Sequence, residues 1–171
     1  MKGTFVAAIL SLSLHLPTQA ASTLALNFFG GGEVSGFTDF MAGWRFRTNS
    51  VVHVNALGFY DSGADGLLDA HQVGIWTDSG VLLTSATIKS GTASPLDGQF
   101  RFEFVALTTL TANNVYRIAA YYGSTPEALV TSSATAITAP EITYLDRAYL
   151  LSVPTFQFPS DFNDVGLAAN F

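Results

Sequence analysis

The sequence predicts an all-β fold, a sandwich or barrel of short antiparallel strands. Three observations carry this. Fourteen Phe and six Tyr stand among many Thr and Val, residues that suit a pleated, half-buried surface. Apolar and polar residues alternate in short runs at spacings of roughly ten residues, divided by Gly-, Asn- and Asp-bearing turns. Beyond residue 20 no stretch sustains a helical period. At 171 residues, 49% hydrophobic and 12% charged, the chain is long and apolar enough for one domain with a real core.

Residues 1–20 read as a secretory signal peptide. Lys2 supplies the positive start, Thr4 to Leu16 a largely apolar run, Pro17 a break, and Thr18-Gln19-Ala20 the small residues of a cleavage site. The run is too short to span a bilayer. Cleavage near Ala20 or Ala21 leaves no transmembrane span in the mature chain. Residues 21–42 follow as an N-terminal strand, Thr23 to Phe29, and a joint at Gly30-Gly31-Gly32.

The sandwich is expected over 43–158. In Gly43 to Thr48, Trp44 and Phe46 point one way and Arg45 and Arg47 the other. Val51 to Tyr60 is a longer strand, and Gln72 to Thr77 follows the Asp61 loop. Asp78-Ser79-Gly80 is a hairpin turn returning through Val81 to Ile88. Lys89 to Gly98 is loop. Gln99 to Val105 alternates most cleanly, with Phe100, Phe102 and Phe104 expected inward and Gln99, Arg101 and Glu103 outward. Asn113-Asn114 turns the chain into Val115 to Tyr122. Glu141 to Leu151 and Thr155 to Phe158 are weaker strands, separated by Pro154. From Pro159 to Phe171 the Gly, Asn and Asp content predicts a loosely held tail.

Net charge is −6, with seven Lys and Arg in all. Nucleic acid, which needs clustered cations, is therefore not an expected partner, and neither is anionic lipid. The absence of Cys excludes disulfides, thiol nucleophiles and Cys-ligated zinc.

The runs Gly43-Trp44-Arg45-Phe46, Val54-Asn55-Ala56-Leu57-Gly58-Phe59-Tyr60-Asp61, Asp65-Gly66-Leu67, His71-Gln72-Val73-Gly74-Ile75-Trp76, Ser79-Gly80-Val81-Leu82-Leu83 and Tyr116-Arg117-Ile118-Ala119 resemble a domain of unknown function found in secreted bacterial proteins. Glu141-Ile142-Thr143-Tyr144 and Ala169-Asn170-Phe171 resemble the later part of PEP-CTERM sorted proteins that carry it. The resemblance implies an exported, jelly-roll-like β-sandwich that accompanies carbohydrate-related and surface proteins. The Pro-Glu-Pro signature, apolar span and basic cluster of the sorting tail do not follow Pro159. Two expectations stand side by side: release as a soluble protein, or a sequence truncated before its sorting tail.

Asp61, Asp65 and Asp69 recur every four residues, with Gly66 after Asp65. Calcium takes six to eight oxygen ligands, and a tight turn can gather several. Asp61, Asp65, the Leu67 carbonyl and Asp69 are thus candidate calcium ligands at positions resembling 1, 5, 7 and 9 of an EF-hand loop. Gly63 and Gln72 stand where ligands at positions 3 and 12 would be, and the flanks read as strands. The competing reading is a solvated Asp/Gly turn. Extracellular sites of this kind bind with Kd about 10⁻⁴ to 10⁻³ M, and tenfold saturation would stabilise the fold by about 1.4 kcal/mol.

His71 and His53 flank the loop, and with an Asp they could form a zinc site or an acid–base pair; ordinary strand histidines are the alternative. Trp76 and His71 are candidate ligand-binding residues. Trp44, Trp76, Tyr121 and Tyr122 could offer ring faces to a pyranose, or simply pack the core. Arg45, Arg47, Arg101 and Glu103, all on outward positions, would make a cross-strand ion-pair ladder if neighbours in the sheet, or else a solubilising surface face. Glu33, Glu103, Glu127 and Glu141 are available carboxylates, but nothing in the sequence pairs them as a glycosidase requires. No nucleophile elbow, His-Glu-x-x-His or phosphate loop is present. The expected function is a secreted, non-enzymatic module of the cell surface or extracellular matrix, with calcium as its candidate cofactor. The alternatives are a carbohydrate-binding module for exopolysaccharide and a hydrolase with its site near Asp61 and His71.

Overall fold

The computed structural model describes residues 23–131, 133–162 and 166–171. The expected signal segment, residues 1–20, lies outside the described residues. The strands in chain order are β1 (Leu26–Phe29), β2 (Glu33–Val34), β3 (Phe40–Thr48), β4 (Val52–Tyr60), β5 (His71–Thr77), β6 (Leu82–Ile88), β7 (Leu96–Asp97), β8 (Phe100–Leu110), β9 (Val115–Tyr122), β10 (Leu129–Val130), β11 (Thr135–Thr138), β12 (Ile142–Leu150), β13 (Asp161–Phe162) and β14 (Ala169–Asn170). They form an all-β sandwich. A six-stranded antiparallel sheet, in the order β13-β12-β3-β9-β5-β6, packs on a four-stranded one, β14-β4-β8-β7. Two short ribbons, β1-β11 and β10-β2, complete the fold.

Alternation explains the six-stranded sheet. Phe40, Ala42, Trp44 and Phe46 of β3, Val73 and Ile75 of β5, and Ile118, Ala120 and Tyr122 of β9 face the core, all at or below 1% exposure. Burying each large side chain contributes about 1.5–3 kcal/mol. The opposite face carries Met41, Trp76 and Ala119, a second apolar cluster that also includes Val153. Phe156 and Phe158 pack over it, so the Thr155 to Phe158 stretch, expected as a strand, is instead an irregular strap across the sheet. Arg117, on that face, holds the strap. Its guanidinium lies 4.6 Å from the Phe158 ring and 4.2 Å from Phe162, and Nη1 donates to the carbonyls of Pro159 at 2.7 Å and Ser160 at 3.0 Å.

The phenylalanines of β8 reverse the expected orientation. Arg101 lies opposite Phe59 in the β4–β8 register, and Phe59 stacks on His71 of the six-stranded sheet at 4.0 Å. Residues paired across a sheet share a face, so Arg101 points between the sheets and Phe100 points away from them. Phe100 and Tyr60 instead make edge contacts with Phe28 of β1, at 5.6 and 5.2 Å. The β1–β11 ribbon is thus a third layer over the four-stranded sheet. It covers Phe100 completely and Phe102 in part, but stops short of Phe104, which is 82% exposed.

The tail differs from expectation as well. Leu167 to Asn170 are fully buried. β14 pairs with β4, and the Ala169 carbonyl accepts the Trp44 indole N–H at 2.8 Å. The Asn170 amide acts as a substitute strand partner for β1: Oδ1 accepts from Leu26 N–H at 3.0 Å, and Nδ2 donates to the Leu26 carbonyl at 2.6 Å. Such short polar residues suggest a surface segment by composition, but here the small Ala side chains fit between sheets and the amide supplies backbone-like bonds.

Candidate functional site

The Asp61 loop is organised by Arg101. Asp61 and Arg101 are 3% and 4% exposed, and Arg101 Nε donates to Asp61 Oδ2 at 2.6 Å. Arg101 Nη1 donates to the Ser94 carbonyl at 2.9 Å and Nη2 to the Ala64 carbonyl at 3.3 Å. One guanidinium therefore ties together the 61–70 loop, the 89–98 loop and the end of β8. The Gly66 N–H adds a contact of 3.2 Å to each Asp61 oxygen. Leu67 and Gly91 exchange two backbone bonds, of 3.2 and 2.7 Å. Gly66 has φ +114°, and a Cβ there would lie 2.9 Å from the Gly91 carbonyl carbon, so glycine is required twice over.

Of the candidate calcium ligands, Asp61 is thus engaged internally and the Leu67 carbonyl accepts the Gly91 N–H. Asp69 Oδ1 accepts its neighbour Ala70 N–H at 2.7 Å, and Oδ2 accepts the Thr125 hydroxyl at 3.3 Å. Asp65 is exposed. Among the described residues no group of three or more His, Asp or Glu stands together in a metal-holding arrangement.

His71 lies in the core at 1% exposure, between Phe59 and the tilted ring of Tyr122 at 5.7 Å. The Tyr121 carbonyl can only accept, so His71 Nδ1 carries the proton of that 3.1 Å bond. Nε2 faces Glu127 Oε1 at 3.5 Å, and Glu127 also accepts the Leu68 N–H, which clips the loop to the 123–128 segment. His53 is elsewhere, exposed on β4 beside the Thr109 hydroxyl at 3.1 Å. The two histidines have separate partners and are not brought together. Trp76 is 3% exposed and Trp44 0%. Neither ring presents a free face.

The outward arginines also part company. Arg45 pairs with Asp146 at 3.2 Å, Arg47 is exposed, and Arg101 is buried against Asp61. Burial raises the Asp146 carboxyl above the usual range, with Arg45 and Arg117 opposing it. Hydrogen bonds from Ser62 and Tyr60 hold Glu33 below the usual range. Tyr60 is pushed up to about 12 by burial first and by Glu33 second. Glu103 is lowered by the Ser94 hydroxyl, 2.7 Å away, and by Lys89 at 2.9 Å.

An open surface lies where the third layer stops. In the β4–β8 ladder Ala56 faces Phe104 and Val54 faces Thr108, so residues 105–107 stand opposite Asn55 alone. Bulges of this kind re-aim side chains. The exposed Phe104 (82%) and Leu107 (68%) sit at this irregularity. A cavity of about 180 Å³ is lined there by Thr23, Asn55, Asp97, Phe102 and Phe104, among others. A second, of about 440 Å³, shares Thr23, Leu24 and Asp97 with it and continues along Asn27, Ile137 and Thr138. Gly58 makes room, since a Cβ there would lie 2.5 Å from the Phe102 ring. Sequence reasoning does not find this cleft. Its signal is the break in alternation at Phe104-Val105-Ala106-Leu107, four apolar residues in a row.

No helix among the described residues is long and apolar enough to cross a membrane. No curated protein matches the chain. Of the cleft residues, Asn55, Asp97, Phe102 and Phe104 fall inside the segment that a family matches, while Thr23 and Leu24 precede it. That family is described as Domain of unknown function (DUF4082); it matches residues 32–160, and the chain belongs to it.

Proposed function

We propose that the protein is an exported, non-enzymatic module of the cell surface or extracellular matrix, acting by contact through the open face around Phe104. The observation that carries this is the 82% exposure of Phe104 beside a formed cleft. Phe104 and Leu107, both exposed at one ladder irregularity beside the cleft, make an apolar surface of the kind that marks a contact site. The apolar first twenty residues support export. A hydrolase centred on Asp61 and His71 would have to withdraw Asp61 from Arg101 and expose a ring stacked on Phe59.

N-terminal sequencing of protein recovered outside the cell should begin near Ala21. Purified protein should be retained by the insoluble surface fraction of the producing cells, and Phe104→Ser should abolish retention without lowering the melting temperature. Retention unchanged in Phe104→Ser, or protein kept in the cytoplasm with Met1 intact, overturns the proposal.

A further inference from the structure

We infer that the cleft beside Phe104 binds a neutral polysaccharide chain, an inference that rests on the contact function proposed above. The two cavities adjoin at Thr23, Leu24 and Asp97, so the lining of one continues into the other. Two adjoining open sites take consecutive units of one chain. Its chemistry is mixed. Phe104 presents an almost uncovered ring, and an aromatic face matches the C–H face of a sugar ring. Asn55, projected at the ladder irregularity, offers an amide donor and acceptor, and Asp97 offers a carboxylate acceptor for hydroxyls. Thr23 adds a hydroxyl where the two cavities adjoin.

Charge selects among polymers. Among the described residues no Lys or Arg lines either cavity, while Asp97 borders both, and the chain carries −6 overall. An anionic polymer would meet repulsion and no cation. An aliphatic ligand would leave Asn55 and Asp97 unpaired against it. A ligand rich in neutral hydroxyls with apolar ring faces fits both features.

The test is affinity electrophoresis of the mature chain in gels containing a neutral glucan, a neutral mannan, or an anionic uronic-acid polymer. Thr84→Ala on β6 serves as the control. Retardation by a neutral polymer is expected. Phe104→Ser should weaken it by about tenfold, the scale of one lost ring contact, and Asn55→Ala should weaken it several-fold, both with unchanged melting temperatures. Retardation by the anionic polymer alone overturns the inference. So does neutral binding unaffected by Phe104→Ser. If no polymer binds while the surface fraction still retains the protein through Phe104, the polysaccharide is overturned and the contact function stands; if that retention fails too, both fall.

Discussion

Arg101 Nε lies 2.6 Å from Asp61 Oδ2, and neither side chain reaches water to a meaningful extent. A buried pair of this kind is costly to split, because removal of one partner strands the other charge. Asp61→Ala is expected to destabilise the protein by about 3–5 kcal/mol. Arg101 also serves two carbonyls, so Arg101→Met should cost a comparable amount. The double substitution should cost clearly less than the sum of the singles. Urea unfolding of the four proteins measures the coupling, and strict additivity would show that the pair does not act as a unit.

The same pair bears on calcium. Arg101 already neutralises Asp61, so a cation would have to compete with a guanidinium for it. The melting temperature is expected to be equal in excess calcium and in chelator, and Asp65→Ala should leave both unchanged. A rise with calcium that disappears in Asp65→Ala would show that the loop binds the cation.

Asn170 predicts a different signature. Asn170→Ala leaves the buried N–H and carbonyl of Leu26 unpaired, at about 1–3 kcal/mol for each group. Asn170→Asp keeps the shape but sets a carboxylate against the Leu26 carbonyl, and should be at least as damaging. Hydrogen exchange of the Leu26 amide should quicken in both; unchanged protection would mean that the clamp does not hold β1.

Tyr60 contributes to the alkaline limb together with Tyr121 and Tyr122, which burial also raises. Its folded pKa, about 12, lies above the ordinary tyrosine value of 10.0, so its contribution is fully present below pH 10.0 and is lost as pH climbs towards about 12. In a titration followed by tyrosinate absorbance, Tyr60→Phe should remove one late-ionising group. At the acid end Glu33, lowered chiefly by Ser62 and then by Tyr60, contributes above its unfolded pKa, and this is lost as pH falls through the folded value. Tyr60→Phe should shrink that acid loss as well.

Strand identity is legible wherever period two meets a turn signal, as in Val115 to Tyr122, whose ends match the observed β9. Direction is harder. The run Phe100-Arg101-Phe102-Glu103-Phe104 announces two faces but not which one lies between the sheets, because a third layer can bury the far side. Charge alone sends Arg101 outward, yet Asp61, forty residues earlier, gives it a buried partner that no local pattern reveals. The short ribbon strands β2 and β10 have two residues each, too few to show a period. The cleft depends on where β1 stops relative to β8, which is a matter of tertiary register.

The amide clamp between Asn170 and Leu26 joins positions 144 residues apart. Closing so wide a loop yields nothing until nearly all the intervening chain is in place, which is the condition for slow, late assembly. A nascent chain that stops before residue 170 lacks this fastening, and its first strand is then held in a ladder by β11 alone.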